Sequence, residues 1–91
     1  MMPPELLAEM REEYLQNLRA RLAAIPGLPP DELLRVVHSI AGSGGMFGFP
    51  RVGEAALALE IDLQQGADKA RIEAGIANLA AVAKSEAEAR T

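Results

Sequence analysis

Glycine and proline interrupt the sequence at three places and divide it into four segments of helical length. The interruptions lie at residues 26–30, at residues 44–50 and at Gly66. Proline lacks the amide hydrogen that a helix interior needs, and glycine adopts backbone angles that other residues avoid, so both favour turns. No segment alternates apolar and polar residues with the β-branched enrichment of a strand. The spacing therefore predicts an all-α chain of four helices joined by short connections.

Apolar residues recur every three or four positions in each segment, which is the period of one face of an α-helix. The predicted apolar faces comprise Leu7, Met10, Tyr14, Leu18, Leu22 and Ile25, then Leu33, Val37, Ile40 and Gly44, then Val52, Ala56, Leu59 and Leu63, and finally Ile72, Ile76, Leu79 and Ala83. Short connections place successive helices antiparallel, so we expect an antiparallel up-down four-helix bundle. A chain of 91 residues has room for one such core, and residues 1–91 are predicted to form a single domain.

Local signals refine the boundaries of the second and fourth helices. Pro30 suits the first turn of a helix, and Asp68 is a plausible N-cap just after Gly66. Gly75 lies inside the fourth segment at a cost of about 1 kcal/mol relative to alanine. We therefore expect Gly75 where two helices pack closely. The tail at 84–91 lacks bulky apolar residues and is expected to fray.

Composition excludes several classes of function. The chain has 9 basic and 13 acidic residues without a basic run, which disfavours nucleic acid as a partner. With no cysteine and one histidine, it has neither a disulfide framework nor the ligands of a zinc cluster, and no metal site is expected. Its length excludes a large nucleotide-dependent enzyme. No apolar run spans a membrane and no signal peptide is visible, so we expect a cytoplasmic protein without a membrane partner.

His38 is the one residue that stands out as a candidate for chemistry. A lone histidine on a helix is most often a packed or surface residue without a special role. At about 100° per residue, His38 points roughly 120° away from the apolar face of its helix, towards solvent. Gly42, Gly44 and Gly45 follow, each costing about 1 kcal/mol in a helix interior. Helix termination explains Gly45 and Gly48 but not Gly42, so this surface is predicted to leave space for something large.

Two catalytic interpretations of the same segment are weak. The run at 42–45 resembles a phosphate-cradling loop, but such loops follow a strand, and no Gly-Lys-Ser/Thr is present. A Ser/His/Asp hydrolase lacks the strand-turn-helix setting of its nucleophile around Ser39 or Ser43. Any chemistry is therefore expected at His38 itself.

The sequence from His38 onward resembles the motif of histidine-containing phosphotransfer (HPt) domains. Residues 38–48 read HSIAGSGGMFG, against a family pattern H-x-[LI]-K-G-[SA]-[SA]-x-x-[apolar]-G. The second half of the pattern, on the next helix, is similar at Val52, Ala56, Leu59 and Glu60. The family's four-helix bundle accounts for the length of the whole chain.

The resemblance implies that His38 accepts a phosphoryl group from an aspartyl phosphate on a response-regulator receiver domain and passes it to another receiver. Glu60 corresponds to the residue that hydrogen-bonds the other ring nitrogen, although such a carboxylate on its own is as readily a solvated surface group. The protein then is a phosphocarrier in a bacterial-type multistep relay, without kinase activity or a cofactor of its own. The receiver supplies Mg²⁺, and a hybrid sensor histidine kinase is a further expected partner.

Residues around His38 are the expected partner-binding surface of a monomer. They are Leu34, Arg35, Ala41, Gly42, Gly45 and Met46. Ala41 departs from the family pattern, which has a lysine there, and Arg35 on the other side of His38 is a partial substitute. This departure favours an alternative, a degenerate module that docks a receiver or kinase without carrying phosphate. Exposed apolar residues such as Leu34, Met46 and Phe49 would instead support a structural or dimerising bundle.

Overall fold

The computed structural model describes residues 3–89, and the described chain is helical without strands. Four α-helices are present: α1 Pro4–Ala24, α2 Pro30–Ser43, α3 Pro50–Gln64 and α4 Lys69–Ala89, with a short 3₁₀ helix Ile25–Gly27 after α1. The main packing is of α2 on α3 and of α3 on α4, with α1 lying mostly against α4. The predicted all-α class and the four helices are confirmed.

Proline and aspartate set the starts of the helices. Pro4, Pro30 and Pro50 each occupy the first position of a helix, where the missing amide hydrogen costs nothing and the fixed φ angle suits the helix. Asp68 caps α4, because its Oδ1 accepts a hydrogen bond of 2.9 Å from the backbone amide of Arg71. The predicted start at Pro30 and the predicted cap at Asp68 are therefore confirmed.

One hydrophobic core joins all four helices. Its buried members are Leu15, Leu18, Ile25, Leu33, Val37, Ile40, Phe49, Val52, Ala55, Ala56, Leu59, Leu79 and Ala83. The predicted apolar faces of α2, α3 and α4 supply most of these residues. The face of α1 differs from the prediction, since Leu15 is buried whereas Leu7 remains 37% exposed. Residues 3–9 are all exposed, so the first turns of α1 contribute little to the core.

Phe49 is buried, contrary to the expectation that it is an exposed apolar residue. Its relative exposure is 1%, and its ring stacks on Tyr14 with 5.8 Å between ring centroids. The turn between α2 and α3 folds this ring inward because Gly48, with φ of 88°, reverses the chain immediately before it. Phe49 is therefore part of the core and unavailable for a dimer interface.

Glycines permit two close helix contacts. A Cβ atom on Gly44 would lie 2.6 Å from the backbone nitrogen of Gly53, so α2 and α3 approach backbone to backbone at this point. A Cβ on Gly75 would lie 2.9 Å from Cδ1 of Leu59, which confirms close packing of α4 against α3 there. Both glycines cost helix propensity but admit contacts that a larger residue would prevent.

The tail at 84–91, which is expected to fray, is helical over residues 84–89. Helix α4 continues to Ala89, and Ala87 is partly buried against the core. Alanine and glutamate are strong helix formers, and this contact adds packing to propensity. Positions 90 and 91 of this segment lie outside the described residues.

Gly44→Ala is predicted to destabilise the protein by about 1 to 3 kcal/mol, because the added methyl group overlaps the α3 backbone, which cannot move as a side chain would. Gly42→Ala is the matched control two residues earlier. A Cβ on Gly42 meets nothing within 4 Å, so this variant gains about 0.5 to 1 kcal/mol from helix propensity. Urea unfolding of both variants measures the difference, and equal stabilities would contradict the close contact of α2 and α3.

Candidate functional site

His38 projects from the solvent side of α2. The side chain is 75% exposed, whereas Leu33, Val37 and Ile40 of the same helix are buried. The orientation predicted from the helical period is confirmed. An imidazole in this position is open to a large partner approaching over α2.

Glu60 on α3 reaches across the helix interface to His38. Its Oε2 lies 2.5 Å from Nδ1 of the imidazole, and the side chain is only 9% exposed. An ionised carboxylate only accepts hydrogen bonds, so Nδ1 donates, and the lone pair of the neutral ring lies on Nε2. The contact that the family resemblance implies is thus present, and Glu60 is a buried group rather than a solvated surface carboxylate.

A shallow depression surrounds the imidazole on the N-terminal side of α2. Its lining residues are Asp31, Leu34, Arg35, His38, Glu60 and Gln64. The structure thereby brings Leu34 and Arg35 of the predicted partner-binding set together with His38 and Glu60. Asp31 and Gln64 were missed. Gln64 lies four residues after Glu60, a helical spacing that could have predicted its position beside that carboxylate.

The surface on the C-terminal side of His38 has few projecting side chains. Cβ atoms placed on Gly42 or Gly45 would meet nothing within 4 Å, and Ala41 is partly buried against the core. Met46, in the turn after α2, is 83% exposed. This half of the predicted partner-binding set forms a nearly flat surface that ends in one large apolar side chain.

Two apolar residues near Glu60 were missed by the sequence analysis. Leu57 is 49% exposed and Ile61 is 42% exposed. They lie four residues apart on α3, on either side of Glu60 in sequence, and thus form one exposed apolar strip. The helical period of α3 contained this signal, because neither residue belongs to the face that packs into the core.

A polar network joins α1 to the part of α2 that carries His38. The Arg21 guanidinium donates to Ser39 Oγ at 3.1 Å, and the Ser43 hydroxyl donates to the Ser39 carbonyl oxygen at 2.8 Å. Tyr14 Oη lies 2.8 Å from Ser43 Oγ, and its ring stacks on Phe47 at 4.6 Å between centroids. These contacts brace the glycine-rich end of α2 from the side opposite α3, and sequence periodicity gave no indication of them.

The described residues contain no group of three or more His, Cys, Asp or Glu side chains arranged to hold a metal ion. Within the same residues, no helix combines the length and apolar character needed to cross a membrane.

Glu60→Gln is predicted to weaken the preference of the neutral His38 ring for hydrogen on Nδ1, because the replacement removes the charge from the acceptor but retains its shape. Nitrogen-15 NMR of the ring measures the proportion of the two tautomers. Glu54→Gln, at an exposed position of the same helix, is the matched control and leaves the ring signals unchanged. Identical ring signals in wild type and Glu60→Gln would contradict the orienting contact.

Comparison with known families agrees with this geometry. The model of the Hpt domain matches residues 5–88, nearly the whole chain. No curated protein and no solved structure matches the chain significantly. Domains of this family are helical bundles that transfer phosphoryl groups through a histidine in phosphorelays, interact there with receiver domains and kinases, and are phosphocarriers rather than enzymes. The chain, matched over nearly its full length, belongs to the Hpt domain family.

Proposed function

We propose that this protein is the histidine phosphocarrier of a bacterial-type multistep phosphorelay. It accepts a phosphoryl group on His38 from the aspartyl phosphate of a response-regulator receiver domain and passes it to a second receiver. One observation carries the proposal: an imidazole that is 75% exposed has its Nδ1 held by a buried carboxylate on the neighbouring helix. Such a contact fixes the plane and the tautomer of an accessible imidazole, as a nucleophilic role requires.

The transfer step follows from the proton on Nδ1. The lone pair of Nε2 attacks the phosphorus atom of the aspartyl phosphate, forming the N–P bond as the P–O bond to the aspartate breaks. The electron pair of the broken bond leaves with the aspartate carboxylate. The ring retains its Nδ1 proton and becomes positively charged. Transfer to a second receiver reverses these bond changes.

Glu60 serves this step in two ways. Its hydrogen bond selects the tautomer with a free lone pair on Nε2 and fixes the plane of the ring. Its negative charge, 2.5 Å from Nδ1, also stabilises the positive charge that the ring acquires during the attack. Because Glu60 is buried and His38 is not, the orienting group is protected while the reacting nitrogen remains accessible.

Catalysis of this reaction is assigned to the partner. The receiver is expected to supply Mg²⁺ and most of the charge stabilisation, so the carrier needs no cofactor and no kinase activity of its own. The docking surface in this proposal comprises Leu34, Arg35, Ala41, Gly42, Gly45 and Met46, with Leu57 and Ile61 as additional apolar contacts. A hybrid sensor histidine kinase carrying a receiver would dock on the same surface.

The proposal includes an antiparallel up-down arrangement of the helices in one domain. Two contacts between α2 and α3 support it, His38 with Glu60 and Gly44 with Gly53, because the later residue on α2 meets the earlier residue on α3. We further propose a monomer located in the cytoplasm, where receivers and kinase domains would meet it. Burial of Phe49 supports the monomer, since it removes one of the apolar residues available for a dimer interface.

A second candidate function is a degenerate module that docks a receiver or kinase without carrying phosphate. Ala41, at the position of the usual family lysine, favours it. The contact between His38 and Glu60 disfavours it, because docking alone requires no oriented imidazole. Transfer of label from a phosphorylated receiver distinguishes the two functions.

Incubation of the purified protein with a phosphorylated receiver is predicted to give one modification that is labile in acid and stable in base, as expected for a phosphorylated imidazole. His38→Ala is predicted to abolish it, because His38 is the only histidine of the chain. The variant also leaves the buried Glu60 carboxylate without its imidazole donor, so its thermal midpoint should fall, and circular dichroism below that midpoint checks that it is folded. Unchanged labelling of His38→Ala would refute the phosphocarrier function, whereas docking without any labelling of the wild type would favour the degenerate module.

Gly42→Gln is predicted to separate stability from transfer. A Cβ atom on Gly42 would meet nothing within 4 Å, and glutamine is the better helix former, so the thermal midpoint should stay equal or rise. Transfer should fall at least tenfold, because the new side chain holds a receiver away from Nε2. Ala81→Gln, at an exposed position of α4, is the matched control. Undiminished transfer in Gly42→Gln would show that receivers do not approach over this surface.

A further inference from the structure

Arg35 has a distinctive place in the depression beside the imidazole. Of the six residues that line it, Arg35 is the only one with a permanently cationic side chain, whereas Asp31 and Glu60 are acidic. Arg35 precedes His38 by three residues on the same helix, a spacing at which side chains are neighbours. The guanidinium is thus the cation placed within reach of a group attached to the ring.

The Arg35 guanidinium has no pairing partner among residues 3–89. Arg35 is exposed, and within residues 3–89 it forms neither a salt bridge nor a side-chain hydrogen bond. Asp31, one turn earlier on α2, does not pair with it. By contrast, Arg21 donates to Ser39 and Arg71 donates to Asp62. Arg35 is therefore free to bind an anion without breaking a contact of the fold.

Phosphorylation of His38 would concentrate negative charge in this depression. A phosphoryl group brings about two negative charges into a depression that already contains the carboxylates of Glu60 and Asp31. On the other side of His38, Ala41 is uncharged, and Gly42 and Gly45 have no side chains. Any compensation by the carrier itself has to come from the N-terminal side of the ring.

We propose that Arg35 binds the phosphoryl group carried on Nε2 of His38. This inference rests on the proposed phosphocarrier function and deepens it by assigning the anion-binding residue of the carrier. A guanidinium presents paired N–H donors that match two phosphoryl oxygens, which makes arginine suited to this role. Arg35 thus supplies, from the N-terminal side of the ring, the positive charge that Ala41 lacks.

Phosphoramidate is a suitable probe, because it phosphorylates histidine without a receiver. Nε2 attacks its phosphorus atom, the P–N bond breaks, and ammonia leaves. Arg35→Ala is predicted to lower the rate of His38 labelling about fivefold, equivalent to about 1 kcal/mol. The phosphorus-31 titration of the phosphorylated protein should also move to higher pH, since Glu60 and Asp31 then face the phosphoryl group without Arg35. Arg19→Ala, which removes a charge from the groove between α1 and α4, is the matched control.

A double variant tests whether the position of the charge matters. Arg35→Ala with Ala41→Lys restores a cation on the opposite side of His38 and should recover labelling. Wild-type thermal midpoint and wild-type ring signals of His38 in Arg35→Ala would exclude a structural cause. Equal labelling and equal phosphorus-31 titration in wild type and Arg35→Ala would overturn the inference, as would equal losses in Arg35→Ala and Arg19→Ala. Failure of the wild type to be labelled by both phosphoramidate and receivers would instead refute the phosphocarrier function.

Discussion

The site depends on the backbone contact between α2 and α3 at Gly44 and Gly53. Because neither residue has a side chain, the two helices approach closely enough that a Cβ on Gly44 would lie 2.6 Å from the opposing backbone nitrogen. The same helix pair joins His38 to Glu60 through a single hydrogen bond. A wider separation would place the Glu60 carboxylate out of reach of the imidazole. The glycine contact therefore determines the geometry of the site as well as the packing of the core.

Local signals in the sequence predicted much of the fold and the position of His38, one of the two residues that form the site. Pro30 and Asp68 marked the starts of α2 and α4, and helical period placed His38 in solvent. These predictions succeeded because each depends on residues within two turns of the helix concerned. Pairing of Glu60 with His38 is different, because it depends on the relative rotation of two helices. The family resemblance implied that pair, whereas periodicity alone left Glu60 as one polar residue among many.

Features that the sequence did not reveal all depend on contacts between distant segments. Phe49 follows a glycine and precedes a proline, which is typical of an exposed turn, yet its ring fills the core against Tyr14. The network from Arg21 and Tyr14 to Ser39 and Ser43 likewise joins residues that no helical period relates. On α1, Leu15 is buried in place of Leu7 because the first turns extend past the core. In each case tertiary packing selected among residues that were locally equivalent.

Different physical reasons explain the presence of the three glycines near the end of α2. Gly44 is required by packing, since any side chain there would collide with α3. Gly42 and Gly45 face open space, so packing does not explain them. Gly42 lies within α2 and lowers its stability relative to alanine, whereas Gly45 lies in the turn after α2. Arg21 and Tyr14 of α1 support the same part of α2 by hydrogen bonds to Ser39 and Ser43 and offset some of that loss. The proposed docking of a receiver over His38 would give the open space at Gly42 and Gly45 the reason that packing does not.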